Sequence, residues 1–210
     1  MSVSIPEGRD KTHGISRVLI TENQIRARIR ELAAGLDAHY AGTSPLMVGV
    51  LTGAVAFMAD LMREMASPVT IDFMAVSSYG ASTKSSGVVR ILKDLNDDVE
   101  GRHILVVEDI VDSGLTLQYL LDVLRRRNPA EIRVVALLKK TKPDAIDVQV
   151  DEVGFTIPDE FVVGYGLDYA GKYRNVPFVG VLDLEILEGK EPDAILFGTS
   201  SGSIDGDEQP

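Results

Sequence analysis

The sequence predicts an α/β fold, a mostly parallel sheet covered by helices on both faces. Three observations carry this. Short apolar runs alternate with helical patterns from Leu46 onward, the order that builds β/α units. The run 104–107 is apolar throughout, as a strand covered on both faces must be. Composition is globular, with 45% apolar and 25% charged residues among 210, enough for one domain and too apolar for a disordered chain.

The elements follow in order. Residues 1–15 are polar and aperiodic, so they read as a loose N-terminal arm. Thr21 and Gln24 stand at capping-box spacing, which starts a helix. Ile25, Ile29, Leu32, Leu36 and Tyr40 then share one face, and Gly42 and Pro45 end it. Residues 46–51 read as a strand, Thr52-Gly53 as a turn and 54–65 as a helix. Strands are expected at 70–76, 88–92 and 104–107, with a Ser- and Gly-rich loop over 77–87. A helix over 115–127 turns Leu117, Leu120, Leu121 and Leu124 inward and stops at Asn128-Pro129. Strands follow at 132–138, 161–163 and 178–182. Residues 16–189 form one domain in this reading, and 190–210 an acidic, disordered tail.

Several classes are excluded. No apolar run approaches the about 18 residues of a membrane span; the nearest, 48–59, is closed by Asp60. No secretory signal is visible in the first residues. With no cysteine, disulfides, thiol nucleophiles and cysteine-ligated zinc drop out, and a cytoplasmic location is the simplest expectation. The net charge is −11, and from Asp183 onward eight acids face one lysine. Nucleic-acid binding needs a basic surface to release phosphate counterions, and none is advertised. His13, His39 and His103 are scattered, with no carboxylate pattern joining them. Any phosphate must be held locally.

In open α/β sheets ligands bind at the carboxyl ends of strands. The informative loop follows Val107: Glu108-Asp109-Ile110-Val111-Asp112-Ser113-Gly114-Leu115-Thr116. Ser113, Gly114 and Thr116 open a helix, and free N–H groups there bind phosphate. The acids suit Mg²⁺ or a sugar diol beside it. Together they imply a phosphorylated sugar; the plain alternative is an acidic turn before a helix cap.

Residues 106–116 resemble the phosphoribosyl-pyrophosphate (PRPP) motif of the type I phosphoribosyltransferases. The stretch Phe161-Val162-Val163-Gly164-Tyr165-Gly166-Leu167-Asp168-Tyr169, ending in Tyr173-Arg174, is similar to the purine-binding region of the hypoxanthine-guanine phosphoribosyltransferase family. So are Ser77-Ser78-Tyr79-Gly80 and Val89-Arg90-Ile91-Leu92-Lys93-Asp94-Leu95. The resemblance implies the type I fold: a mostly parallel twisted sheet flanked by helices, a small hood lobe and a flexible lid loop. It implies transfer of the phosphoribosyl group of PRPP to hypoxanthine or guanine, giving the monophosphate and pyrophosphate, with Mg²⁺, in a homo-oligomer (dimer or tetramer).

By the same resemblance, Glu108 and Asp109 face the ribose hydroxyls and the metal. Asp112 is the base at purine N7. Ser113, Gly114, Leu115 and Thr116 cradle the 5′-phosphate. Lys139 contacts the purine 6-oxygen, Phe161 stacks on the base, and the Val162 carbonyl reads the 2-position. Asp168 is a second metal and purine-site position. Thr52, Gly53, Ser78, Tyr79 and Arg174 bind pyrophosphate, and a cis peptide often precedes Thr52. Two positions depart from the family: Thr52 and Glu160 stand where lysine is common. Gly166-x-x-x-x-Gly171-Lys172 has P-loop spacing, but Tyr173 replaces the Ser or Thr it needs. A xanthine-preferring enzyme and a PRPP- or nucleotide-sensing regulator on the same fold remain as alternatives.

Overall fold

Thr21 makes the capping box expected of it: its hydroxyl accepts from the Gln24 N–H at 3.3 Å, and its own N–H donates to Gln24 Oε1 at 2.9 Å. That fixes the start of the first helix in a computed structural model, which describes residues 12, 14–78 and 89–183. The elements in chain order are β1 (Ile15–Ile20), α1 (Glu22–His39), β2 (Leu46–Leu51), α2 (Val55–Glu64), β3 (Thr70–Ser78), β4 (Val89–Lys93), β5 (His103–Val111), α3 (Leu115–Arg125), β6 (Glu131–Lys140), β7 (Glu152–Ile157), β8 (Val162–Val163) and β9 (Val179–Leu182). The 190–210 tail, Tyr79, nearly all of the 77–87 loop and most of the N-terminal arm lie outside the described residues.

The six-stranded sheet runs β4-β3-β2-β5-β6-β7. Every neighbouring pair is parallel except β3 with β4. Successive side chains of a strand face opposite ways, and both faces of the central strands are buried. Met47, Leu105 and Val107 join the cluster under α1 and α2, with Ile25, Ile29, Leu36, Phe57 and Leu61. Val48, Ile104 and Val106 join the cluster under α3, with Leu117, Leu120, Leu121 and Leu124. The four leucines assigned inward from periodicity are therefore the buried face of α3. A smaller antiparallel sheet, β1-β9-β8, forms a second lobe. Asp60 of α2 accepts from the Tyr165 hydroxyl at 2.5 Å, tying the two lobes together.

Four readings need correction. β1 begins at Ile15, inside the expected arm, and pairs with β9. Two register shifts break its alternation, so no period of two shows in the letters. β7 was not anticipated; it is the sheet edge, and most of its residues are only partly buried. β5 continues through Val111, so Glu108 and Asp109 lie within a strand and not in a loop. Glu108 pairs with Ala136 and Ile110 with Leu138 of β6. Two acids ending an apolar run look like a strand terminus unless ladder bonds are visible. Finally, His39 and His103 are joined after all, by opposite oxygens of Glu131 at 2.7 and 3.0 Å. These three lie at the amino end of β5 and β6, opposite the ligand end of the sheet, and read as a structural clasp. Among the described residues no helix is long and apolar enough to cross a membrane.

Candidate active site

The carboxyl ends of β2 and β5, the mouth of α3 and the 164–174 loop enclose one cavity of about 300 Å³. Thr52, Gly53, Glu108, Asp109, Asp112, Ser113, Gly114, Thr116, Asp168 and Arg174 all line it. Residues far apart in sequence converge because β2 and β5 are parallel neighbours, so their following loops emerge side by side.

Each wall has a local cause. The Leu51–Thr52 peptide is cis. A β-carbon at Gly53 would collide with the Asp109 carboxylate, so only glycine lets this turn approach β5. At the other wall, Gly114 has φ +80° and begins α3 with no side-chain cap. The first N–H groups of the helix thus face the cavity with the positive end of the helix dipole. Ser113 Oγ accepts from the Leu115 N–H at 3.5 Å. Leu115 does not line the cavity, and its side chain is exposed.

The acids are held in unequal environments. Glu108 is buried, and its Oε2 has no hydrogen-bond partner among the described residues. Burial, then the neighbouring Asp109 charge, raises its carboxyl well above the usual range. Burial pushes Asp109 up to about 6, with the Ile110 N–H and the Arg174 guanidinium opposing the shift. Arg174 donates to Asp168 Oδ1 at 2.7 Å and to the Gly166 carbonyl at 2.6 Å. The Gly171 N–H donates to Asp168 Oδ2 at 2.8 Å. An unpartnered buried carboxylate oxygen beside a second carboxylate is an all-oxygen donor set, which fits a hard divalent cation. No three His, Asp or Glu side chains among the described residues form a full cage, so such an ion would also need ligands from substrate or water.

Asp112 lies just past β5 and meets two lysines, Lys140 through Oδ2 at 3.3 Å and Lys142 through Oδ1 at 2.5 Å. This alters the lysine assignment. Lys139, singled out from sequence, precedes Lys140 on β6 and so faces the other way; it makes no ion pair with Asp112. Lys140 is the one of the two that pairs with Asp112. Two adjacent lysines at a strand end cannot be ranked from letters when the strand's last paired residue is uncertain by one.

Phe161 and Val162 do not line the first cavity. Phe161 is 42% exposed, stacks edge-on against Tyr169 at 5.6 Å, and borders a second cavity of about 530 Å³ with Asp159, Glu160 and Leu182. Val162 is buried in β8 opposite Val181. Glu160, one of the two departures from the family, is ion-paired with Arg17 of β1 at 2.5 Å, beside Phe161. Ser78 ends β3, paired with Val89; its side chain and Tyr79 lie outside the described residues. Sequence reasoning missed Lys142 and Asp159, since nothing in their spacing links them to Asp112. Residues 164–174 form successive tight turns with no helix behind them, unlike a P-loop.

Residues 19–170 match the family model of the phosphoribosyl transferase domain. The chain is also 52% identical over 176 residues to the hypoxanthine-guanine phosphoribosyltransferase of Bacillus subtilis (strain 168), covering 84% of this chain and 98% of that protein. The chain belongs to the hypoxanthine-guanine phosphoribosyltransferase family. A member from Mycobacterium tuberculosis (strain CDC 1551 / Oshkosh) is 51% identical over 182 residues, covering 83% of this chain and 89% of its own length. The crystal structure of a Staphylococcus aureus hypoxanthine phosphoribosyltransferase superposes with a TM-score of 0.79 at 42% identity, over 82% of this chain and 94% of that one. The type I fold expected from the sequence is thus the fold observed, with the β1-β9-β8 sheet as the hood lobe of this family member.

Gly53 offers a test of the wall geometry. In Gly53→Ala the new methyl group must displace the Asp109 carboxylate. Because misplacing a reacting group by about 1 Å can cost up to ~10²-fold, we expect PRPP affinity to fall by about tenfold or more while the fold is kept. Calorimetry with Mg·PRPP and a thermal melt check this together; unchanged affinity would mean that the two residues do not act on one ligand.

Proposed function

We propose that this chain transfers the phosphoribosyl group of PRPP to hypoxanthine or guanine. The observation that carries this reading is the convergence, in one cavity, of an uncapped helix mouth, a buried carboxylate beside a half-buried one and a glycine turn, with an aspartate–lysine pair at its edge. Each part suits one part of PRPP. The mouth of α3, with Ser113 and Thr116, offers N–H and hydroxyl donors to the 5′-phosphate. Glu108 and Asp109 suit the ribose diol and Mg²⁺. Thr52, Gly53 and Arg174 suit the pyrophosphate, where the arginine fork matches phosphate oxygens. Thr52 contributes no positive charge, leaving Arg174 as the cation of that wall among the described residues. Ser78 and Tyr79 belong to the same reading as the lid over the pyrophosphate.

The chemistry needs charge stabilisation and a proton acceptor. As the C1′–O bond to pyrophosphate breaks, positive charge builds on the ribosyl group and negative charge on the leaving group. The purine nitrogen supplies the electron pair of the new C1′–N bond, and Asp112 takes the N7 proton. Lys140 donates to the 6-oxygen, Phe161 offers its exposed ring to the base, and the Val162 carbonyl accepts at the 2-position. Glu108 and Asp109, with Asp168 once it moves and with substrate oxygens, would hold magnesium, which would supply charge neutralisation at the pyrophosphate. Asp168 would have to release Arg174 to take part, freeing the guanidinium for phosphate. The same reading expects a homo-oligomer and a cytoplasmic location.

The pH dependence has a definite sign. Asp109 must be ionised to hold a cation, and burial raises it to about 6. Below that pH protons compete with the metal, so Mg·PRPP affinity rises with pH through about 6 and binding releases protons on the acid side. Calorimetry across about pH 5 to 8, spanning the titration, tests this. A flat affinity would remove the Glu108–Asp109 pair from the metal.

A further inference from the structure

The base and the lysine beside it belong to a closed ion square. Lys140 Nζ lies 3.3 Å from Asp112 Oδ2 and 3.3 Å from Asp159 Oδ1. Lys142 Nζ lies 2.5 Å from Asp112 Oδ1 and 3.2 Å from the same Asp159 oxygen. Two ammonium groups and two carboxylates alternate, and the set is neutral. Its members come from the ends of β5 and β6 and from the turn after β7. The Lys140 side chain is only 9% exposed, so it has little access to solvent counter-ions.

Resting on the function proposed above, Lys140 has two duties that compete. It pairs with Asp112, and it must turn to the purine 6-oxygen. We propose that Lys142 and Asp159 are positioning residues that make the two compatible. Lys142 ion-pairs with the second Asp112 oxygen, which accepts no hydrogen bond among the described residues, so the carboxylate keeps a counter-charge in place when Lys140 turns to the base. Asp159 holds both ammonium groups, so one carboxylate still faces them once Asp112 has accepted the N7 proton and become neutral. Neither residue touches substrate in this scheme; both act through Asp112 and Lys140.

The test uses the full chain with saturating Mg·PRPP and hypoxanthine. Lys142→Met is expected to lower kcat about tenfold, the scale of a modest misplacement of a reacting group, with the PRPP KM within about twofold. Lys142→Arg, which keeps the charge and reach, restores most of kcat. Asp159→Asn raises the hypoxanthine KM, because Lys140 is then bound to Asp112 alone. A Lys142→Met enzyme with wild-type kcat overturns the proposal. So does a loss that arginine does not rescue and that follows the melting temperature, since that is merely structural. A second readout needs no turnover: the Lys142 ammonium, followed by NMR in the ligand-free chain, loses its proton at higher pH in the wild type than in Asp112→Asn with Asp159→Asn. Equal titration overturns the square itself. If the square is present but the wild-type chain turns over no purine, the functional reading fails, and the positioning role with it.

Discussion

Asp112→Asn should lower kcat by about 10²–10⁴-fold, the usual contribution of a positioned general base, while Mg·PRPP binding stays near wild type. Asparagine keeps the size and the acceptor oxygen of aspartate but cannot take the purine proton. It also keeps a polar group between Lys140 and Lys142, so the change is chemical before it is structural. The 5′-phosphate cradle proposed at Ser113 to Thr116 is backbone and hydroxyl, set by the Gly114 conformation and the uncapped start of α3. That cradle survives the substitution, which is why affinity for PRPP and turnover should separate. Steady-state kinetics with calorimetry on the same preparation decide the matter. Turnover within a few-fold of wild type would take the base role away from Asp112.

The second large effect concerns the two adjacent lysines. Lys140→Met should lower kcat/KM for hypoxanthine by about 10²-fold or more, because a site built around a polar contact discriminates strongly when that contact is lost. It also leaves Asp112 with Lys142 alone. Lys139→Met should stay within about twofold, since its side chain leaves β6 on the opposite face. Parallel assays of the two variants separate the assignments. A large loss at Lys139 with Lys140 silent would restore the sequence-based choice and contradict the geometry of the strand end.

These two lysines mark how far the letters reach. The capping box at Thr21, the apolar face of α1 and the four inward leucines of α3 were legible, because helix periodicity and caps are local signals. The central parallel strands were legible as apolar runs. β1 and β7 were not: one is bulged and the other is an edge, so neither shows a clean period. At the site, Glu108 to Thr116 could be read because its acids, hydroxyls and glycine are contiguous. Its partners could not be ranked by the same means. Lys140 and Lys142 meet Asp112, and Asp159 meets both lysines, only through the parallel pairing of β5, β6 and β7, and a shift of one residue on β6 changes which lysine arrives. The burial that raises Glu108 and Asp109 is likewise a property of the packed strand, and their letters alone suggest exposed acids in a loop.

On the proposed function, this cavity and Lys140 carry out 6-oxopurine phosphoribosyl transfer. The most direct test is PRPP- and Mg²⁺-dependent conversion of hypoxanthine, guanine, xanthine and adenine to their monophosphates by the purified full chain. Turnover of hypoxanthine and guanine is expected, with adenine inert because its 6-amino group is a donor facing the Lys140 ammonium. Adenine turned over as well as hypoxanthine, or PRPP bound with no base converted, would contradict the account.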